Sequence, residues 1–91
     1  MTFEFDPGKN ELNRSKHDFS FEDAQRLWNV PGVEANLGIV HSEFRYLRLA
    51  ELAGIVYLAV FTYRAGPAIR LISARKATAK EAQTYEQNRK K

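Results

Sequence analysis

Apolar and polar positions alternate from Thr2 to Phe5, and such a period of two marks a strand, here a short one. Asp6-Pro7 follows. Asp caps helix N-termini well, and proline at the first helical position gives up no hydrogen bond. The spacing predicts a helix from about Pro7 to His17, mostly polar and on the surface, with Leu12 as its main anchor. Asp18 ends it, because Asp tolerates the left-handed conformation. A second helix is expected after Ser20. Ser20-Phe21-Glu22-Asp23 forms a capping box with Asp23 in the usual Glu place. Phe21, Ala24, Leu27 and Trp28 then share one apolar face, which Phe19 staples at its entrance, and Pro31-Gly32 closes the unit.

Period two then dominates. Val33 to Val40 is read as a strand, and Glu43 to Leu49 alternates, with Phe44 and Tyr46 opposite Glu43, Arg45, Leu47 and Leu49. Ala53-Gly54 is a hairpin turn. Ile55 to Tyr63 is apolar on both faces, which predicts a central strand covered on both sides. Ala65-Gly66-Pro67 turns the chain into a strand from Ala68 to Ser73. Thr78-Ala79-Lys80-Glu81 is a capping box that opens a last helix, with Tyr85 one turn beyond Glu81, and the tail from Asn88 to Lys91 is expected to fray. The period-two spacing of Phe44, Tyr46, Tyr57, Phe61 and Tyr63 assigns these rings to packing rather than to base stacking. The fold class is α+β, in the order β-α-α-β-β-β(-β)-α. Two N-terminal helices and one C-terminal helix pack on one face of a twisted antiparallel sheet, in a single domain over residues 1–91.

Charge changes this picture more than composition does. The formal net charge is +3, but residues 1–43 carry eight acidic and four basic side chains, and residues 44–91 three acidic and ten basic. The second half is the electropositive half, suited to polyanions or simply to solvation. Cysteine is absent and the two histidines, His17 and His41, lie far apart, so neither a disulfide framework, thiolate chemistry nor a structural zinc site is expected. No apolar run reaches the ~18 residues of a membrane span, and no signal-peptide core is seen. The expectation is a soluble, cytoplasmic protein with no cofactor.

The basic residues concentrate in Ile69-Arg70-Leu71-Ile72-Ser73-Ala74-Arg75-Lys76-Ala77. A guanidinium needs a partner or water, and its planar fork matches two phosphate oxygens. Arg64, Arg70 and Arg75 are therefore candidates for phosphate. Parity adds a condition: Arg70 and Arg75 point to opposite faces of a regular strand, so a bulge or the strand end must re-aim one of them. Each also has a plainer reading: a turn-flanking surface residue for Arg64, an ion pair with Glu43 or Glu51 for Arg70, and for Arg75 a partner for sheet-edge carbonyls or for a bound partner protein.

Beyond these patterns the chain resembles the BrnT-type toxins. The resemblance rests on Phe3-Glu4-Phe5-Asp6-Pro7, Lys9, Asn13-x-x-Lys16-His17 and Phe19-x-Phe21-Glu22-Asp23-Ala24 in the first half. Glu43-x-Arg45, Thr62-x-Arg64 and Ile69-Arg70-x-Ile72-Ser73-Ala74-Arg75-x-Ala77, followed by Glu81 and Tyr85, carry it in the second. The chain departs from the family pattern mainly in turns, at Asp18, Val30, Ser42 and Leu49-Ala50. The resemblance implies a RelE-like fold and a ribonuclease that arrests translation when free. It also implies a BrnA antitoxin with a ribbon-helix-helix part, whose complex with the toxin binds operator DNA. RNA cleavage without a metal needs a base for the 2′-hydroxyl, cations for the phosphoryl oxygens and an acid for the leaving oxygen. The candidate catalytic set is Arg64, Arg70, Arg75, His17, Lys16, Glu81 and Tyr85, and the candidate RNA-binding set is Arg45, Ser73, Lys76 and Lys80. Plainer readings stand beside these. His17 and Lys16 suit the negative end of a helix, Glu81 completes a capping box, Tyr85 fits a core, and the lysines fit a solvated face. The alternative function is a toxin-like fold that binds antitoxin and nucleic acid without cutting.

Overall fold

The computed structural model describes residues 1–89, so Lys90 and Lys91 of the expected frayed tail lie outside the described residues. The elements are β1 (Thr2–Glu4), α1 (Pro7–His17), α2 (Phe21–Ala24), a 3₁₀ turn (Gln25–Asn29), β2 (Gly32–Val40), β3 (Glu43–Leu52), β4 (Ile55–Arg64), β5 (Ala68–Lys76) and α3 (Ala79–Asn88). Local chemistry sets the ends of α1 as anticipated. The Asp6 carboxylate accepts from the backbone N–H groups of Gly8 and Lys9, and Asp18 stops the helix at φ 52°. Capping boxes open α2 at Ser20/Asp23 and α3 at Thr78/Glu81.

The helix expected after Ser20 is α2 for four residues and then tightens into the 3₁₀ turn. Arg48 explains the tightening. Its Nε donates to the Leu27 carbonyl and its Nη2 to the Val30 carbonyl, both at 2.9 Å, while its guanidinium lies over the Trp28 ring. One side chain thus satisfies the carbonyls left free at a helix end. Gly32 leaves room beside it, because a Cβ there would come within 2.7 Å of the Arg48 guanidinium and displace it.

The sheet order is β1-β5-β4-β3-β2. β2 to β5 form the antiparallel block read from the pattern, with Ala53 and Gly54 both at positive φ in the tight turn that twisted hairpins favour. β1 adds a fifth strand, parallel to β5, from Thr2↔Ala68 to Glu4↔Arg70. The sheet is therefore mixed.

Two cores sit on its two faces. Phe19, Phe21, Ala24 and Leu27 pack on Ala50, Ala59, Phe61, Ile69, Leu71 and Ala74. On the opposite face Tyr85 of α3 packs on Leu49 and Leu58. The sequence pattern put all helices on one face; α3 instead takes the second, because β3 and β4 present apolar residues to both.

Leu12 does not anchor α1, since its side chain is largely exposed. Asn13 does. It is buried, donates to the carbonyls of Phe19 and Ala74 and accepts from the Ala74 N–H, so one amide stands in for a strand along the β5 edge. Among the described residues no helix is long and apolar enough to cross a membrane.

Candidate active site

β3, β4 and β5 bring arginines together on the face that α3 shares. On that face α3 covers β2 to β4 near Leu49 and Leu58, leaving the strand ends toward Arg64 and Glu43 uncovered by a helix. Arg64 ends β4, Arg45 lies near the start of β3, and Arg70 pairs with Thr62 across the ladder. They are linked through two carboxylates. Arg64 Nη1 donates to Glu43 at 2.5 Å, and Arg45 Nη2 is 3.2 Å from the other Glu43 oxygen. Arg64 Nε and Arg70 Nη1 stand 3.5 and 3.7 Å from one oxygen of Glu4. The chain Arg70–Glu4–Arg64–Glu43–Arg45 therefore sets three cations against two anions. Burial pushes the Glu43 carboxyl up, but the Arg64 hydrogen bond and the charges of Arg64 and Arg45 outweigh it and hold the group below the usual carboxylate range. Thr62 forms the floor, its buried hydroxyl donating to the Phe44 carbonyl. Among the described residues the buried Nε of Arg45 finds no hydrogen-bond partner.

Arg75 reaches the same face because the strand is bulged. Val60 pairs with Ser73 and Phe61 with Leu71, so Ile72 is the extra residue. This meets the parity condition, since Arg70 and Arg75 now pair with Thr62 and Leu58, which share a face. Four residues of β4 separate those partners, about 13 Å along the strand. Arg75 is not part of the three-arginine chain. Its two Nη groups grip Glu81 at 2.7 and 2.9 Å, and Glu81 in turn accepts from the Thr78 N–H. The Arg75 hydrogen bond is the largest influence on Glu81, whose carboxyl is held at about 2, and the same bond raises Arg75.

The family model for the ribonuclease toxin BrnT of type II toxin–antitoxin systems matches residues 5–81. The chain belongs to the BrnT family. No curated protein sequence matches it. Among solved structures it is similar to the 1.1 Å crystal structure of the Brucella abortus ribonuclease toxin, BrnT, with a TM-score of 0.64 and 22% identity. That match covers 86% of this chain and 97% of the other and establishes a shared fold.

In this BrnT family member the remaining candidates fall in three other places. Lys16 and His17, at the end of α1, line a shallow groove of about 230 Å³ with Lys9, Asn13, Ile72 and Ser73, so the bulge and the helix end meet there. Lys76 and Lys80 flank the Arg75–Glu81 pair, at the end of β5 and the start of α3, and both are exposed. Tyr85 is 4% exposed and packs on Leu49 and Leu58, so its ring is accounted for by the core. The sequence reading sets Glu43 or Glu51 against Arg70; instead Arg70 faces Glu4, which that reading misses, and Glu43 serves Arg64 and Arg45. Glu4 and Glu43 both stood in quoted motifs, but nothing local reveals that β1 pairs with β5 and thereby delivers Glu4 to Arg70. Among the described residues no three His, Asp or Glu side chains are grouped as metal ligands would be.

Proposed function

We propose that this chain is a metal-independent endoribonuclease, one RelE-like toxin domain that cleaves RNA in the cytoplasm and arrests translation when free. A BrnA-like ribbon-helix-helix antitoxin neutralises it, and operator DNA is reached only through that complex. The observation that carries this reading is the cluster of Arg45, Arg64 and Arg70 on a stretch of sheet that no helix covers. Three guanidiniums there can bind a phosphodiester and stabilise the charge that develops as the adjacent 2′-hydroxyl attacks. DNA lacks this nucleophile, which gives the preference for RNA. Arg75 lies on the same face and orders α3 through Glu81, while Lys76 and Lys80 add steering charge. His17, with Lys16 and Ser73 in the neighbouring groove, is the candidate proton carrier, since an imidazole can both take up and give back a proton.

One observation favours the second reading, a non-catalytic antitoxin- and nucleic-acid-binding module. Each of the four arginines already faces a carboxylate. Induction of the chain in a bacterial host separates the two. The ribonuclease reading expects growth arrest with fragmented RNA, relieved by Arg64→Ala and by Arg70→Ala. Arrest with intact RNA, or full toxicity of both variants, contradicts it.

A further inference from the structure

Glu4 closes β1 at its pairing with Arg70, and its carboxylate is held differently from the others nearby. A single oxygen lies 3.5 Å from Arg64 Nε and 3.7 Å from Arg70 Nη1. A charge-assisted N–H···O⁻ bond spans about 2.7–2.9 Å, so both contacts are loose. Glu43, by contrast, takes a 2.5 Å hydrogen bond from Arg64, and Glu81 takes two bonds from Arg75. The Glu4 side chain is also 44% exposed and comes from a strand of three residues at the sheet edge. Exposed ion pairs of this kind add little stability, so rotating Glu4 into water is easy.

One oxyanion between two guanidiniums is also the arrangement a phosphodiester seeks, and its two non-bridging oxygens suit two arginines better than one carboxylate oxygen does. We infer that Glu4 is an internal stand-in for phosphate, occupying the anion position between Arg64 and Arg70 in the free protein and leaving when an RNA phosphodiester enters. Glu43 has the complementary task of keeping Arg64 and Arg45 in place throughout. The exchange is one anion for one anion, so it also keeps the local charge nearly constant as substrate binds. The inference deepens the ribonuclease reading and rests on it for the identity of the ligand.

The test follows the side-chain Nε–H resonances of Arg64 and Arg70 by NMR during titration. The probes are inorganic phosphate and, separately, a 2′-O-methyl RNA oligonucleotide that cannot be cleaved. Glu4→Gln is compared with Glu86→Gln, which removes the same charge from the last turns of α3, where Glu86 pairs with Arg89. Glu4→Gln should tighten both ligands about tenfold and steepen the salt dependence by about one counterion, while Glu86→Gln changes affinity by less than about twofold. Equal gains in the two variants would reduce the effect to net charge. Weaker binding in Glu4→Gln would make Glu4 an organiser of the arginines, and no shift at Arg64 and Arg70 in either protein would mean no anion site. Each of these overturns the inference. Phosphate titration involves no cleavage, so a protein that binds phosphate at Arg64 and Arg70 yet cuts no RNA refutes the ribonuclease reading alone.

Discussion

Arg75 and Arg64 project from adjacent strands onto one face of the sheet, yet their surroundings differ. At the α3 end one guanidinium meets one carboxylate through two hydrogen bonds, and that carboxylate also caps a helix. At the open end three guanidiniums share two carboxylates, two of the contacts are longer than 3.4 Å, and among the described residues the α3 core lies away from them, at Leu49 and Leu58. The first arrangement holds both Nη groups of the fork on one carboxylate and so builds structure. The second leaves donors unfilled, which is what an anion site needs. Four arginines that look alike in sequence thus divide by how completely their partners occupy them.

Breaking the α3 end should produce the larger change in stability. Glu81→Ala removes both the grip on Arg75 and one arm of the capping box. We expect a loss of about 2 kcal/mol, or about 10 °C in Tm for a domain this small, read from a thermal melt. RNA cleavage per folded molecule should be retained. A loss of cleavage as deep as that of Arg64→Ala would instead place Arg75 and Glu81 inside the site.

The same pair can be sharpened by pH. The Glu81 carboxyl falls from its ordinary 4.5 to about 2 on folding, chiefly through Arg75. A folded-state value below the unfolded one means that the contribution is complete above pH 4.5 and is lost as the pH falls toward 2. Partial exposure of the pair reduces it to about 1 kcal/mol. Denaturant unfolding between pH 5 and pH 2 should show this loss in the parent protein and not in Glu81→Gln, and equal slopes would contradict it. At the open end the effect on stability should be smallest. Arg64→Ala should shift unfolding by less than about 1 kcal/mol, because its pairs are half-exposed.

Much of this architecture was written in local chemistry. Asp6-Pro7 and Asp18 delimit α1, Ser20/Asp23 and Thr78/Glu81 open their helices, and Ala53-Gly54 makes the central hairpin. Parity alone demanded a break between Arg70 and Arg75, and Ile72 supplies it. What escaped depends on long-range pairing. The parallel contact of β1 with β5 joins residues more than sixty apart, so Glu4 could not be assigned to Arg64 and Arg70. Leu12 is the only strongly apolar side chain in α1, yet it faces solvent, while Asn13 is buried because the β5 backbone beside it needs both a donor and an acceptor. Hydrophobicity ranks side chains by their own cost of exposure and cannot register an unpaired backbone elsewhere. For the site, the arginines were readable as a type and a span, but their partners were not.

The central claim is that the uncovered arginine cluster grips a scissile RNA linkage. It is tested most directly by incubating purified protein with single-stranded RNA in the presence of a metal chelator. The comparison is with the Arg64→Ala/Arg70→Ala double variant, checked to be folded. The account predicts cleavage by the parent protein that leaves 2′,3′-cyclic phosphate ends, and at least a hundredfold loss in the variant, about 3 kcal/mol of transition-state stabilisation. Undiminished cleavage by the folded double variant would contradict it.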